Sequence, residues 1–139
     1  MSGKDYVAAI DIGTHSAKAA IYDVREHKLY SGSYSYDLLF PRDNEVEQDP
    51  AIWVRGAACA FQHALEQIPT ATRKIGALCV TGTNGLVLVD DLGNPVYNAV
   101  MFSDRRAEKQ VIGLTRSYGQ AIEKWAGNRP APGSFSLPL

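Results

Sequence analysis

Long hydrophobic runs are absent from this chain. No apolar stretch approaches the roughly 20 residues of a membrane-spanning helix. The opening Met-Ser-Gly-Lys-Asp has no hydrophobic signal segment, so neither membrane contact nor secretion is expected and the cytoplasm is the default location. Strong charge of either sign is missing too: 14 Lys and Arg face 15 Asp and Glu, for a net charge of −1, and the basic residues are scattered. Without a basic stripe, nucleic acid is not an expected partner. Cysteine is scarce. Cys59 and Cys79 have no Cys-x-x-Cys or Cys/His spacing around them, which argues against a disulfide scaffold or structural zinc, and their apolar neighbours predict two core thiols. His15, His27 and His63 also lack ligand spacing; His63 is expected on a helix surface and His27 in a polar turn. The two familiar phosphate loops are missing, since no Gly-x-Gly-x-x-Gly opens a helix and no Gly-Lys-Ser/Thr stands at P-loop spacing. No repeat, low-complexity tract or linker breaks the 139 residues, a length that fits one modest domain.

What is present begins with Asp11-Ile12-Gly13-Thr14-His15-Ser16-Ala17-Lys18, set between the apolar runs 6–10 and 19–22. The runs read as two strands and the segment between them as the mouth of a hairpin. Gly13 lets the backbone approach an anion, Thr14, Ser16 and nearby N–H groups can donate to phosphate oxygens, and Lys18 adds positive charge. His15 lies within the same loop, with a solvent-facing role expected. Asp11 is a candidate to hold a hydrated Mg²⁺, an ion that takes one or two carboxylates and completes its shell with water and phosphate oxygens. Asp-x-Gly-Thr is also ordinary turn chemistry, so this segment alone leaves both readings open.

Farther along, 23–27 reads as a turn and 28–36 as a third strand, in which Tyr30, Tyr34 and Tyr36 share one face. Residues 40–48 are polar and read as loop. Asp49-Pro50 marks a helix start, and the helix is expected to reach about Gln67 with Trp53, Ala57, Ala60, Phe61, Ala64, Leu65 and Ile68 on its apolar face, before Pro69 stops it. A short buried strand is expected over 75–80, a loop over 81–85, a strand over 86–89, a turn over 90–95 and extended chain over 96–102. Ser103-Asp104 then opens a second predicted helix to about Tyr118, and 120–125 a short third one. Three antiparallel strands followed by a helical crossover to a parallel strand predict an α/β fold. That fold is ribonuclease-H-like or actin-like, a mixed sheet with flanking helices. In such sheets ligands sit beyond the strand ends, so the loops 11–16 and 81–85 are expected to line one cleft.

Four segments together resemble the FGGY family of carbohydrate kinases: 11–18; Glu47-Gln48-Asp49-Pro50 with Trp53; Thr81-Gly82-Thr83-Asn84-Gly85-Leu86 with Asp90 and Gly93; and Phe102-Ser103-Asp104-Arg105-Arg106-Ala107. The resemblance implies ATP-dependent phosphorylation of a sugar or polyol hydroxyl, a pentulose such as xylulose or ribulose being favoured, with ATP and Mg²⁺ as cofactors. It gives Asp11 the Mg²⁺, Gly13, Thr14 and Ser16 the phosphate turn, and Lys18 the γ-phosphate. Thr83 and Asn84 fall in the sugar-pocket loop, where xylulose kinases tend to carry His and glycerol kinases Arg at the Asn84 position. Phe102 replaces a frequent Trp over the substrate carbons, and Asp104 and Arg106 match the Asp-x-Arg that orders the pocket. Asp, Asn and Arg suit the directional hydrogen bonds of a polyol, and an aromatic face suits its C–H side.

The family's catalytic base and its adenosine-binding second domain have no counterpart in residues 1–139. The chain is therefore expected to be the N-terminal part of an incomplete first actin-like domain, inactive when isolated. A non-catalytic actin-like nucleotide- or sugar-binding module is the alternative. The expected partner is a small-molecule sugar or polyol, and the assembly state is left open, a homodimer included.

Overall fold

A computed structural model describes residues 5–68 and 74–133 of the chain. The chain falls into two compact units, the first built from Met1–Asp37 with Ala51–Thr83 and the second from Leu38–Pro50 with Asn84–Leu139.

The first unit is a four-stranded sheet with a helix on one face. Strands β1 (Tyr6–Ile12), β2 (Ser16–Asp23) and β3 (Lys28–Ser35) form an antiparallel meander, α1 (Pro50–Leu65) crosses over, and β5 (Ile75–Gly82) returns parallel to β1. The strand order is β3-β2-β1-β5, the mixed topology expected from the element sequence. Alternation decides which face α1 covers: Tyr6, Ala8 and Ile10 of β1 and Ala17, Ala19 and Ile21 of β2 are buried, with Ala60 and Ala64 of the helix and Ile68 just beyond it. Trp53, Ala57, Phe61 and Leu65 pack partly buried against this core. The helix sits very close to β3. A Cβ on Gly32 would collide with the Ala60 carbonyl and lie 2.7 Å from the His63 Cβ and 2.8 Å from the Ala64 nitrogen. The tight 23–27 turn places His27 at φ 55°, with its ring 2.8 Å from the Tyr22 hydroxyl.

Three expectations are corrected in this unit. Strand β5 is not buried: it lies at the sheet edge, with Leu78 53% and Val80 56% exposed, because α1 centres on the meander. Cys79 shares that exposure and is no core thiol, while Cys59 is half-buried in α1. Strand β5 also runs two residues farther than predicted, taking Thr81 and Gly82 out of the loop. The predicted stop at Pro69 lies outside the described residues.

The second unit holds a three-stranded antiparallel sheet in the order β4-β7-β6, from β4 (Glu47–Gln48), β6 (Gly85–Leu86) and β7 (Ala99–Met101). The expected loop 40–48 thus ends in a strand, and the expected strand 86–89 shrinks, with Val89 making one bridge to Pro95. The two helices predicted after Ser103 are one, α2 (Glu108–Ala126). It starts late because 103–107 forms turns, with Asp104 N–H on the Met101 carbonyl and Glu108 N–H on that of Arg105. It runs through Gly119 because a helical glycine costs only about 1 kcal/mol against alanine. Gly127, at φ 71°, ends it by donating to the Glu123 carbonyl, a left-handed cap that suits glycine. None of the described helices is long and apolar enough to cross a membrane.

Candidate functional site

In the first unit the chemistry gathers at one end of the sheet. Register sets the row: Lys18 lies opposite Ser33 and Asp11, and Asp11 lies beside Thr81. All four side chains are on the face that α1 leaves open, lining a depression of about 440 Å³ floored by Ala9, Ala20 and Cys79. The small side chains of the floor leave the room, and the strand ends supply the polar rim.

Beyond Ile12 the chain turns. Gly13 N–H donates to the Ser16 carbonyl at 2.9 Å, and a Cβ on Gly13 would stand 3.0 Å from that oxygen, so the turn is drawn as tight as a glycine allows. The parallel strand delivers its own loop alongside. Thr83 N–H donates to the Ile12 carbonyl at 2.7 Å, and the Thr14 and Thr83 hydroxyls are 3.3 Å apart. The segments 11–16 and 81–85, expected to line one cleft, lie side by side as far as Thr83.

Among the described residues no group of three or more His, Cys, Asp and Glu is arranged to hold a metal ion alone. A single exposed carboxylate at Asp11, flanked by Thr81, fits instead an ion such as Mg²⁺ that fills most of its shell with water and phosphate oxygens.

The second unit brings together residues far apart in the chain. Gly85 pairs with Met101 and Leu86 with Val100, so Asn84 and Phe102, the next residue on each strand, leave the ribbon at the same end. Asn84 is exposed and Phe102 is 48% exposed. The same unit holds a buried ionic network. Glu47 and Asp104 are each 1% exposed, and the guanidinium of Arg106 joins them, with Nη2 2.7 Å from Glu47 Oε1 and 2.9 Å from Asp104 Oδ2. Asp104 also accepts from Val46 N–H at 2.7 Å and Arg106 N–H at 2.9 Å, and Glu47 from the Tyr97 hydroxyl and the Asn98 amide, each at 2.9 Å.

Burial opposes the charge on both carboxylates, yet the hydrogen bonds outweigh it. Those from Asn98, Arg106 and Tyr97 hold Glu47 below its ordinary range, and those from Arg106 and Val46 do the same for Asp104. The hydrogen bond to Asp104 raises Arg106 in turn. This is a braced turn: both carboxylates point into protein donors, and 103–106 is locked against 46–47. Sequence reasoning gave Asp104 and Arg106 to the substrate pocket, gave Glu47 no role of its own and passed over Tyr97 and Asn98, since pairs about fifty residues apart carry no local signal.

Comparison with known proteins decides the family. Residues 6–134 match the model of the N-terminal domain of the FGGY family of carbohydrate kinases. The chain belongs to that family. Among its relatives, a glycerol kinase of Thermococcus onnurineus is 32% identical over 127 residues, covering 90% of this chain and 26% of the relative. A xylulose kinase of Lactococcus lactis is 28% identical over 134 residues, covering 96% and 26%. The solved xylulose kinase from Rhodospirillum rubrum superposes with a TM-score of 0.81 at 27% identity, over 89% of this chain and 26% of that one. The chain thus spans about a quarter of the length of the FGGY kinases it matches. Its fold is the actin-like, ribonuclease-H-like one of these kinases, in part.

Proposed function

We propose that this chain is the leading portion of an ATP-dependent FGGY kinase that phosphorylates a hydroxyl of a sugar or polyol, with a pentulose such as xylulose or ribulose as the favoured acceptor. The observation that carries the reading is the family match over 6–134 together with the turn 13–16, set at the sheet end beside Asp11, Lys18 and Thr83. In this reading Gly13, Thr14 and Ser16 cradle the terminal phosphates, Lys18 offsets their charge, and Asp11 orients a Mg²⁺. Bound there, the ion would neutralise phosphate oxygens during transfer. Asn84 offers an amide NH₂ and a carbonyl oxygen to neighbouring hydroxyls, Thr83 a hydroxyl, and Phe102 a face for the C–H side of the sugar. Asp104 and Arg106 serve the pocket by fixing the turn that follows Phe102. Phosphoryl transfer asks chiefly for alignment and charge neutralisation, and Lys18 with the ion at Asp11 would supply the second. The catalytic base and the adenosine contacts belong to residues other than these.

A coupled ADP-release assay on the full-length protein carrying this chain, run over pentuloses, hexonates and polyols, tests the proposal. Turnover on one class with none on the others identifies the acceptor; no turnover on any defeats the reading.

A further inference from the structure

Tyr36 follows the last residue of β3 and turns inward, 7% exposed. Helix α1 rests on its ring. A Cβ on Gly56 would stand 2.8 Å from Tyr36 Cε1 and 3.2 Å from Cδ1, so the helix leaves the ring no freedom on that side. From this seat the phenol hydroxyl donates to the Gly13 carbonyl at 2.7 Å, and the Tyr36 N–H donates to the His15 carbonyl at 2.9 Å. With the Ser16 carbonyl taken by Gly13 N–H, the carbonyls of Gly13, His15 and Ser16 are all tied to protein donors, two of them through one residue. An anion site needs this arrangement, because a carbonyl oxygen swung toward the ligand repels phosphate, while one tied back leaves the N–H edge to face it.

We propose that Tyr36 is a positioning residue for phosphate binding, its hydroxyl and N–H holding the Gly13 and His15 carbonyls away from the ligand while Gly56 fixes the ring. The inference rests on the reading of 13–16 as a phosphate turn. Burial, with a smaller push from the Asp11 charge, raises the Tyr36 phenol above its ordinary pKa, so it stays a donor through the neutral range.

The test is Tyr36→Phe, which keeps the ring against Gly56 and deletes one hydroxyl. Tripolyphosphate, with and without Mg²⁺, is titrated into the ¹⁵N-labelled full-length protein carrying this chain while the amides of Thr14, His15 and Ser16 are followed. One hydrogen bond to a backbone carbonyl corresponds to an affinity loss of about fivefold. The expected result is that loss, equal with and without Mg²⁺, with the amide resonances of β1 and α1 unshifted. Equal affinities for wild type and variant overturn the proposal, as does a loss accompanied by shifts spread through the whole first unit. A wild-type protein that gives no saturable response removes the phosphate reading itself, and this inference with it. A saturable wild-type response with an unaffected variant removes this inference alone.

Discussion

Replacing Arg106 by methionine isolates the buried network of the second unit. The change keeps an unbranched side chain of similar reach but removes the one cation between Glu47 and Asp104, both 1% exposed. Severing a fully buried pair costs about 3–5 kcal/mol. Here 30% of the Arg106 side chain reaches solvent, which brings the expectation to about 2 kcal/mol. That corresponds to roughly a 30-fold fall in local protection. Because the chain has two units, a single unfolding midpoint is a poor gauge, and native-state hydrogen exchange of Val46 and Met101 is better. Val46 N–H is bonded to Asp104 and Met101 N–H to the Val46 carbonyl, so both amides read the network directly. The pH dependence gives a second check. In the wild type the folded values of Glu47 and Asp104 lie below their unfolded ones, so their contribution is fully present above the ordinary carboxylate range and is lost as pH falls through the folded values. In the variant, burial without a counter-charge raises the two carboxyls, and protonation relieves them. The gap between the proteins should therefore narrow from pH 7 toward about pH 4. Unchanged protection at Val46, or an equal loss at β1 and β2 of the first unit, would refute the argument.

Gly32→Ala should destabilise the first unit by about 1–3 kcal/mol, since the new methyl meets the α1 backbone at Ala60 and Ala64. Gly113→Ala, where a methyl meets nothing within 4 Å, should stabilise α2 by about 0.5–1 kcal/mol, and hydrogen exchange of the β3 and α2 amides reads the two changes separately. Gly133→Ala combines a φ of 86° with a Cβ driven into the Phe102 carbonyl group; it should shift the Phe102 amide resonance and weaken sugar binding, read by calorimetry, while leaving tripolyphosphate affinity intact. Asp11→Asn should abolish most of the gain that Mg²⁺ gives to tripolyphosphate binding and leave metal-free binding equal or tighter, because a negative charge near the anion is gone.

Much of the first unit was legible in the residues because its signals are local. The alternation through Tyr6, Ala8 and Ile10, the Asp49-Pro50 helix start and the apolar stripe of α1 follow from periods of two and 3.6 and from turn chemistry, and the meander with its parallel return followed from their order. The turn at Gly13 was readable for the same reason. What the sequence could not disclose depends on contacts between distant positions. The edge position of β5 exposes Leu78, Cys79 and Val80 despite their strand-core composition, because no local pattern tells an edge from a centre. The seating of Tyr36 between Gly56 and Gly13, and of Arg106 between Glu47 and Asp104, arises from chain folding that brings residues 20 to 59 positions apart within hydrogen-bond or van der Waals reach. Residue types thus fixed which groups could bind phosphate and sugar. Tertiary packing decided which of them face outward and which are held behind as braces, because a polar side chain is committed only when burial forces it to find a partner.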